Sequence, residues 1–216
     1  MSVAVKICGI TSAEAADAAI TAGAAYGGLV FHLKSPRFVT PQMAAALAQR
    51  MRGRLKVVAL VVDLDDDGIE AVIRAARPDV LQLHGRESVG RVAALRSRFG
   101  LPVIKSLAVA ESADLAVASA YETVADMLLF DACAPLEADR PGGHGAAFDW
   151  KILSGRSFTR PWLLAGGLTP GNIARAIALS GAKLVDVSSG VETAPGIKSP
   201  ARIAEFIAAA REEVRA

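Results

Sequence analysis

One feature constrains this chain above all others. Short, nearly continuous apolar runs alternate strictly with Ala-rich stretches that carry helix signals. The runs are Val3–Ile7, Gly28–Phe31, Val57–Val62, Val80–Leu83, Val103–Leu107, Met127–Asp131, Trp162–Ala165 and Leu184–Val187. Continuous hydrophobicity over strand length marks strands covered on both faces. Strands that alternate with helices pair in parallel through right-handed crossovers. Eight such units predict a closed (β/α)8 TIM barrel, with an open doubly wound sheet as the alternative arrangement. The chain has 216 residues, enough for one catalytic barrel domain over 1–216, because the fold shrinks to about 200 residues at its smallest.

The helix boundaries are written locally. Thr11-x-x-Glu14 reads as a capping box. Thr40-Pro41, Thr169-Pro170 and Ser199-Pro200 each put a capping residue before a proline at the first helical position. Gly23, Gly53, Gly100 and Gly181 close helical patterns. One connection is longer than a barrel needs. Between Asp131 and Trp150 the chain is rich in Gly and Pro, and loops of this kind often serve as lids.

Composition narrows the function classes. Acidic and basic residues are well mixed at a net charge of +2, which argues against a nucleic-acid partner. No apolar stretch approaches the ~20 residues of a membrane span, and Lys6 interrupts an N-terminal run too short for a signal sequence. Cys8 and Cys133 are too few for a disulfide framework. The expectation is a cytoplasmic protein with free thiols, without a membrane partner, and monomeric or homodimeric.

Barrel active sites lie at the C-terminal ends of the strands, so the residues there are the candidates. Lys6 and Cys8 share one face of the first strand by the period of two. A lysine in an apolar strand marks that face as the barrel interior near its mouth, and its ammonium would favour a Cys8 thiolate. Gln82 and His84 share a face at the end of the fourth strand. Asp131 follows three apolar residues with no nearby helix to cap, which makes it a candidate catalytic acid. Asp186 is a charge inside the eighth apolar run, either a pocket residue or the partner of a buried lysine. Gly166-Gly167 after the seventh strand and Ser189-Gly190 after the eighth let backbone amides approach an anion, at the place where barrels commonly bind phosphate. A short helix near Gly190 would aim free N–H groups at it. After the second strand, Ser35-Pro36 makes a rigid turn that would hold Arg37 over the mouth, where its planar fork suits a carboxylate.

Together these stretches resemble the phosphoribosylanthranilate isomerase family of tryptophan biosynthesis. The matching segments are VKICGIT at Val5–Thr11, VFHLKSPRFV at Val30–Val39, LQLHG at Leu81–Gly85, LLFDA at Leu128–Ala132, GGHGAAFDW at Gly142–Trp150, LLAGGLTPGNI at Leu163–Ile173 and VDVSSGVETAPGIKS at Val185–Ser199. The resemblance implies that Cys8 is the general base, Asp131 the general acid and Arg37 the contact for the anthranilate carboxylate. It implies that His84 and Asp186 line the substrate pocket and that Gly167, Ser189 and Gly190 hold the phosphate; their strand-end positions add Lys6 to the expected pocket residues and Gly166 to the expected phosphate residues. The implied reaction is an Amadori rearrangement of an aminoaldose phosphate to an aminoketose, with no metal and no cofactor. Two departures stand out: His144 and Ala146 in the Gly-rich segment, and Ser199 where the family usually has aspartate. Serine caps a helix as well as aspartate. Rival readings are another phosphosugar barrel enzyme, such as a metal-dependent epimerase or a Schiff-base aldolase using Lys105, and a noncatalytic phosphometabolite binder.

Overall fold

The structure, a computed structural model, describes residues 3–133 and 147–212. Eight parallel strands form a closed ring: β1 (Ala4–Cys8), β2 (Tyr26–Val30), β3 (Lys56–Val61), β4 (Val80–Leu83), β5 (Val103–Val109), β6 (Met127–Ala132), β7 (Trp162–Leu164) and β8 (Leu184–Val187). β1 pairs with both β2 and β8, which shuts the barrel and rules out the open sheet. Helices α1 (Ala13–Thr21), α2 (Pro41–Met51), α3 (Asp66–Ala76), α4 (Val89–Phe99), α5 (Ala118–Glu122), α6 (Ile173–Ser180) and α7 (Pro200–Glu212) pack outside the ring. The described part of the β6–β7 connection holds no α-helix, only a 3-10 turn at Trp150–Leu153 that Asp149 caps. After β8 a two-stranded antiparallel hairpin, β9 (Glu192–Ala194) and β10 (Ile197–Lys198), folds back before α7.

Continuous hydrophobicity is explained by two cores. Outward residues such as Ile7, Leu29, Leu81 and Val185 pack under the helices. Inward residues Val58, Val80, Ile104, Leu129 and Leu163 fill the barrel axis, and Cys8, Val30 and Leu60 lie above them towards the mouth. Both strand faces are dry, so no polar alternation survives except where a charge has a purpose.

Local signals hold at most helix ends. Thr40 and Ser199 accept from the backbone N–H groups of Met43 and Arg202, and Gly100 and Gly181 end α4 and α6 in the left-handed region. Two signals are corrected. The cap of α1 is Ser12, which accepts from the Ala15 N–H at 3.1 Å; the Thr11 hydroxyl instead donates to the Gly196 carbonyl in the returning hairpin. Thr169-Pro170 does not start α6 either. Asn172 accepts from the Thr169 N–H at 2.7 Å and donates to the Gly167 carbonyl at 2.9 Å, so the loop is stapled as a turn and the helix begins at Ile173. No helix of the described residues is long and apolar enough to cross a membrane. The lid expected around Gly142–Gly145, with His144 and Ala146, falls on 134–146 and lies outside the described residues.

Candidate active site

The barrel mouth gathers two groups of polar side chains. The first belongs to β1, β8 and the loops beside them. Register sets Lys6 directly opposite Asp186, and the two form an ion pair of 2.8 Å with Lys6 wholly buried. The paired-lysine reading of Asp186 is therefore the one that the geometry takes. Burial alone would pull the Lys6 ammonium down, but Asp186 and the Cys8 sulfur outweigh it and raise it above its ordinary value. Lys6 is thus sealed beneath the pocket, where it reaches Asp186 and Cys8, rather than lining the pocket as expected.

Cys8 is also buried. Burial pushes its thiol up, Lys6 pulls it down, Asp186 pushes it up again, and the balance is a raised value. Lys6 does favour the anion, as expected, but desolvation outweighs it in the balance. Gly28 makes this arrangement possible. It lies level with Cys8 on β2, and a side chain there would press on Cys8 Sγ and Lys6 Nζ at 3.2 and 3.3 Å.

Arg37 is not a solvated arginine. It is buried, and its Nε and Nη2 donate to the two carboxylate oxygens of Glu192 at 2.7 and 2.9 Å. Its aliphatic stem lies against Gly9, whose φ of +75° and missing Cβ leave the room. One edge of the fork expected to serve a ligand is therefore committed inside the protein. Glu192 also accepts from Lys198 Nζ at 2.7 Å. Two cations on one carboxylate explain the directions. Burial would raise the Glu192 carboxyl, but Arg37 and Lys198 hold it below its usual value. Lys198 shares the Glu192 carboxylate with Arg37, which also repels it, so burial lowers its ammonium despite the pairing.

The second group belongs to β4 and β6. The Asp131 carboxylate accepts from the Ala132 N–H at 2.9 Å and lies 3.4 Å from His84 Nε2. His84 Nδ1 is 3.0 Å from the side-chain amide nitrogen of Gln82. With that amide donating, Nδ1 accepts and the ring carries its proton on Nε2, facing Asp131. The Gln82 carbonyl oxygen is buried with no hydrogen-bond partner among the described residues.

At the β7 and β8 ends, Gly166 and Gly167 have φ of +86° and +63°. A side chain on Gly166 would strike the Ala132 backbone, and one on Gly190 would strike the Leu168 carbonyl. The two loops thus pack backbone against backbone, with Gly166, Gly167, Ser189 and Gly190 all part-exposed at the mouth. Residues 189–191 form a single 3-10 turn.

Lys105 takes no part. It points away from the axis and is tied to Glu87 at 2.7 Å and to the Gly85 carbonyl at 2.7 Å, which removes it as a Schiff-base lysine. Among the described residues, no three His, Cys, Asp or Glu side chains gather as a metal cluster. Sequence reasoning missed Gly28, Ser188, Glu192 and Lys198. Their signal is tertiary, since only the closed barrel and its returning hairpin bring them to Cys8 and Arg37.

Comparison with known proteins gives one consistent answer. The family described as N-(5'-phosphoribosyl)anthranilate (PRA) isomerase matches residues 5–209. The N-(5'-phosphoribosyl)anthranilate isomerase of Paramagnetospirillum magneticum is 54% identical over 211 residues, 98% of each chain. That of Paracoccus denitrificans is 53% identical over 210 residues, covering 97% of this chain and 98% of its own. The crystal structure of phosphoribosyl anthranilate isomerase from Thermotoga maritima superposes with a TM-score of 0.86 at 35% identity, over 96% of this chain and 98% of its own. A phosphoribosyl anthranilate isomerase in complex with reduced 1-(o-carboxyphenylamino)-1-deoxyribulose 5-phosphate superposes at 0.83 and 33% identity, with the same coverage.

Proposed function

The chain belongs to the N-(5'-phosphoribosyl)anthranilate isomerase family, and from that premise we propose how its own residues carry the reaction. It is an isomerase of tryptophan biosynthesis. Its substrate, N-(5-phosphoribosyl)anthranilate, is an aminoaldose that becomes the aminoketose 1-(2-carboxyphenylamino)-1-deoxyribulose 5-phosphate.

Asp131 is the general acid. It gives a proton to the furanose ring oxygen, the C1–O bond breaks, and C1 becomes a protonated imine with the anthranilate nitrogen. Cys8 is the general base. As a thiolate it removes the proton from C2, the electron pair flows to the imine nitrogen, and the resulting enolamine tautomerises to the C2 ketone. The observation that carries this reading is placement. Cys8 and Asp131 end the inward faces of β1 and β6, which β7 and β8 separate around the ring, so the two groups stand across the mouth from each other.

The phosphate is held by the Gly166-Gly167 and Ser189-Gly190 loops, where missing side chains let amides approach an anion. Arg37, its guanidinium plane set by Glu192, meets the anthranilate carboxylate. His84 steadies Asp131. Lys6 and Asp186 act on Cys8 from beneath: the ammonium favours the thiolate once substrate changes the balance, and Asp186 keeps that ammonium in place.

The test joins turnover to chemistry at Cys8. In a Cys133→Ser background, which removes the exposed thiol, alkylation of Cys8 by iodoacetamide abolishes turnover, and the reduced product analogue slows the alkylation. A fully alkylated Cys8 with unchanged turnover sinks the base assignment. Because burial raises the thiol, the alkylation rate of the free protein climbs with pH to a midpoint above that of an ordinary thiol, about 8.5.

A further inference from the structure

Lys198 is a buried cation that the mechanism leaves unused. Its side chain is completely buried, although a lysine is rarely fully buried without a purpose. Its ammonium donates to three oxygens: Glu192 Oε1 at 2.7 Å, the Ser188 carbonyl at 3.0 Å and Ser188 Oγ at 3.2 Å. Each partner leads to a proposed site residue. Ser188 Oγ donates onward to the Cys8 carbonyl at 3.1 Å. Glu192 grips the Arg37 fork at both oxygens. One ammonium on β10 therefore ties the strand end that carries the base to the guanidinium that meets the substrate carboxylate. It also brings a second cation to the one carboxylate, Glu192, that Arg37 holds.

We propose that Lys198 is a positioning residue for the isomerisation, fastening the Cys8 strand end through Ser188 and the Arg37 fork through Glu192, and supplying the positive charge that draws the anionic substrate and favours the Cys8 anion. The inference rests on the assignment of Cys8 as base and Arg37 as carboxylate contact. A buried charge in a low-dielectric site acts on its neighbours more strongly than one in water. The sign agrees: Lys198 pulls the Cys8 thiol down, with Lys6 and against burial and Asp186. Among the described residues, Lys6, Asp186 and Lys198 are the charged groups whose fields act on the sulfur.

Three variants test this. Lys198→Met keeps the length and removes the charge. Lys198→Arg keeps the charge. Ser188→Ala cuts only the link to the Cys8 carbonyl. Lys198→Met is expected to lower kcat about ten- to a hundredfold, the scale on which small misplacements of reacting groups act. It is also expected to raise KM severalfold and to move the pH midpoint of Cys8 alkylation upward, measured in the Cys133→Ser background. Lys198→Arg restores the alkylation midpoint towards the parent value, which a purely structural lysine would not require. Ser188→Ala lowers kcat with KM and the midpoint little changed. If Lys198→Met is folded by circular dichroism yet matches the parent in kcat, KM and alkylation midpoint, the proposal is overturned. Should Lys198→Met fail to fold, Ser188→Ala decides: parent kcat there breaks the link to Cys8. The underlying reading fails separately, through Cys8→Ser, which must lose turnover whatever Lys198 does.

Discussion

The two sides of the barrel mouth are built differently. The side of the proposed base, on β1, β8 and the β9–β10 hairpin, is saturated with charge: Lys6 with Asp186, and Arg37 and Lys198 on Glu192, all buried. The side of the proposed acid, on β4 and β6, is sparse among the described residues. There Asp131 has a 3.4 Å approach from His84 and the Ala132 N–H as donor, and a Gln82 oxygen has no partner among those residues. The difference matches the tasks proposed for the two sides. A thiol in a dry pocket is not an anion unless fixed cations surround it, so its side needs a rigid lattice of charge. An acid that must reach a ring oxygen and then give up its proton keeps bonding capacity in hand.

The contrast predicts that the two sides fail differently. The largest effect is expected on the sparse side. Asp131→Asn keeps the shape and removes the transferable proton, so kcat falls by about 10²–10⁴-fold, while stability in urea changes by less than about 1 kcal/mol, because few bonds depend on the carboxylate. Near-normal turnover by Asp131→Asn would end its role as acid. A loss of stability comparable to the base side would end the contrast.

The next effect belongs to the saturated side. Asp186→Leu strands the wholly buried Lys6 ammonium, and breaking a buried pair from one end costs about 3–5 kcal/mol. Urea unfolding reads this directly. The double variant Lys6→Met/Asp186→Leu recovers much of that stability, since two apolar groups replace a paired charge at little cost, but it does not recover turnover, because the cation beneath Cys8 is gone. A double variant with parent kcat would show that the pair is scaffold only.

The smallest effect is a slope. The Glu192 carboxyl lies below its usual value of 4.5 in the folded protein, so the folded state holds the ionised form more tightly than the unfolded chain does. That stability is fully present above the unfolded value and disappears as pH falls through the lower, folded one. Glu192→Gln has no such proton to take up. Its urea midpoint should therefore fall less steeply between pH 5 and pH 3 than that of the parent. Parallel curves would mean that the Arg37–Glu192–Lys198 cluster contributes nothing to acid stability.

Much of this was legible beforehand because the relevant physics is local. Eight dry strands leave eight continuous apolar runs, and each observed strand lies within two residues of its predicted end points. Lys6, Asp131 and Asp186 stood out because a charge in an apolar strand has few places to go. The glycines at 166, 167 and 190 could be read because turns and close approaches demand them. The failures share a cause. Thr11 and Thr169 have good capping chemistry, but long-range or loop partners, Gly196 and Asn172, claim them first. Lys105 resembled a catalytic lysine until strand parity turned it outward onto Glu87.

By itself, then, the sequence determined the barrel, the identity of the strand ends and the family, because periodicity, turn chemistry and contiguous motifs are properties of neighbouring residues. The tertiary structure alone decided which charges meet. Lys6 and Asp186 are 180 residues apart, Arg37 and Glu192 are 155 apart, and Lys198 reaches Cys8 only through a hairpin that folds back over the closing strand. Proton affinities follow those meetings. The ammonium two places away pulls the Cys8 thiol down as expected, but the fold buries the sulfur deeply enough for desolvation to outweigh it, because the cost of burying a charge depends on everything packed around it.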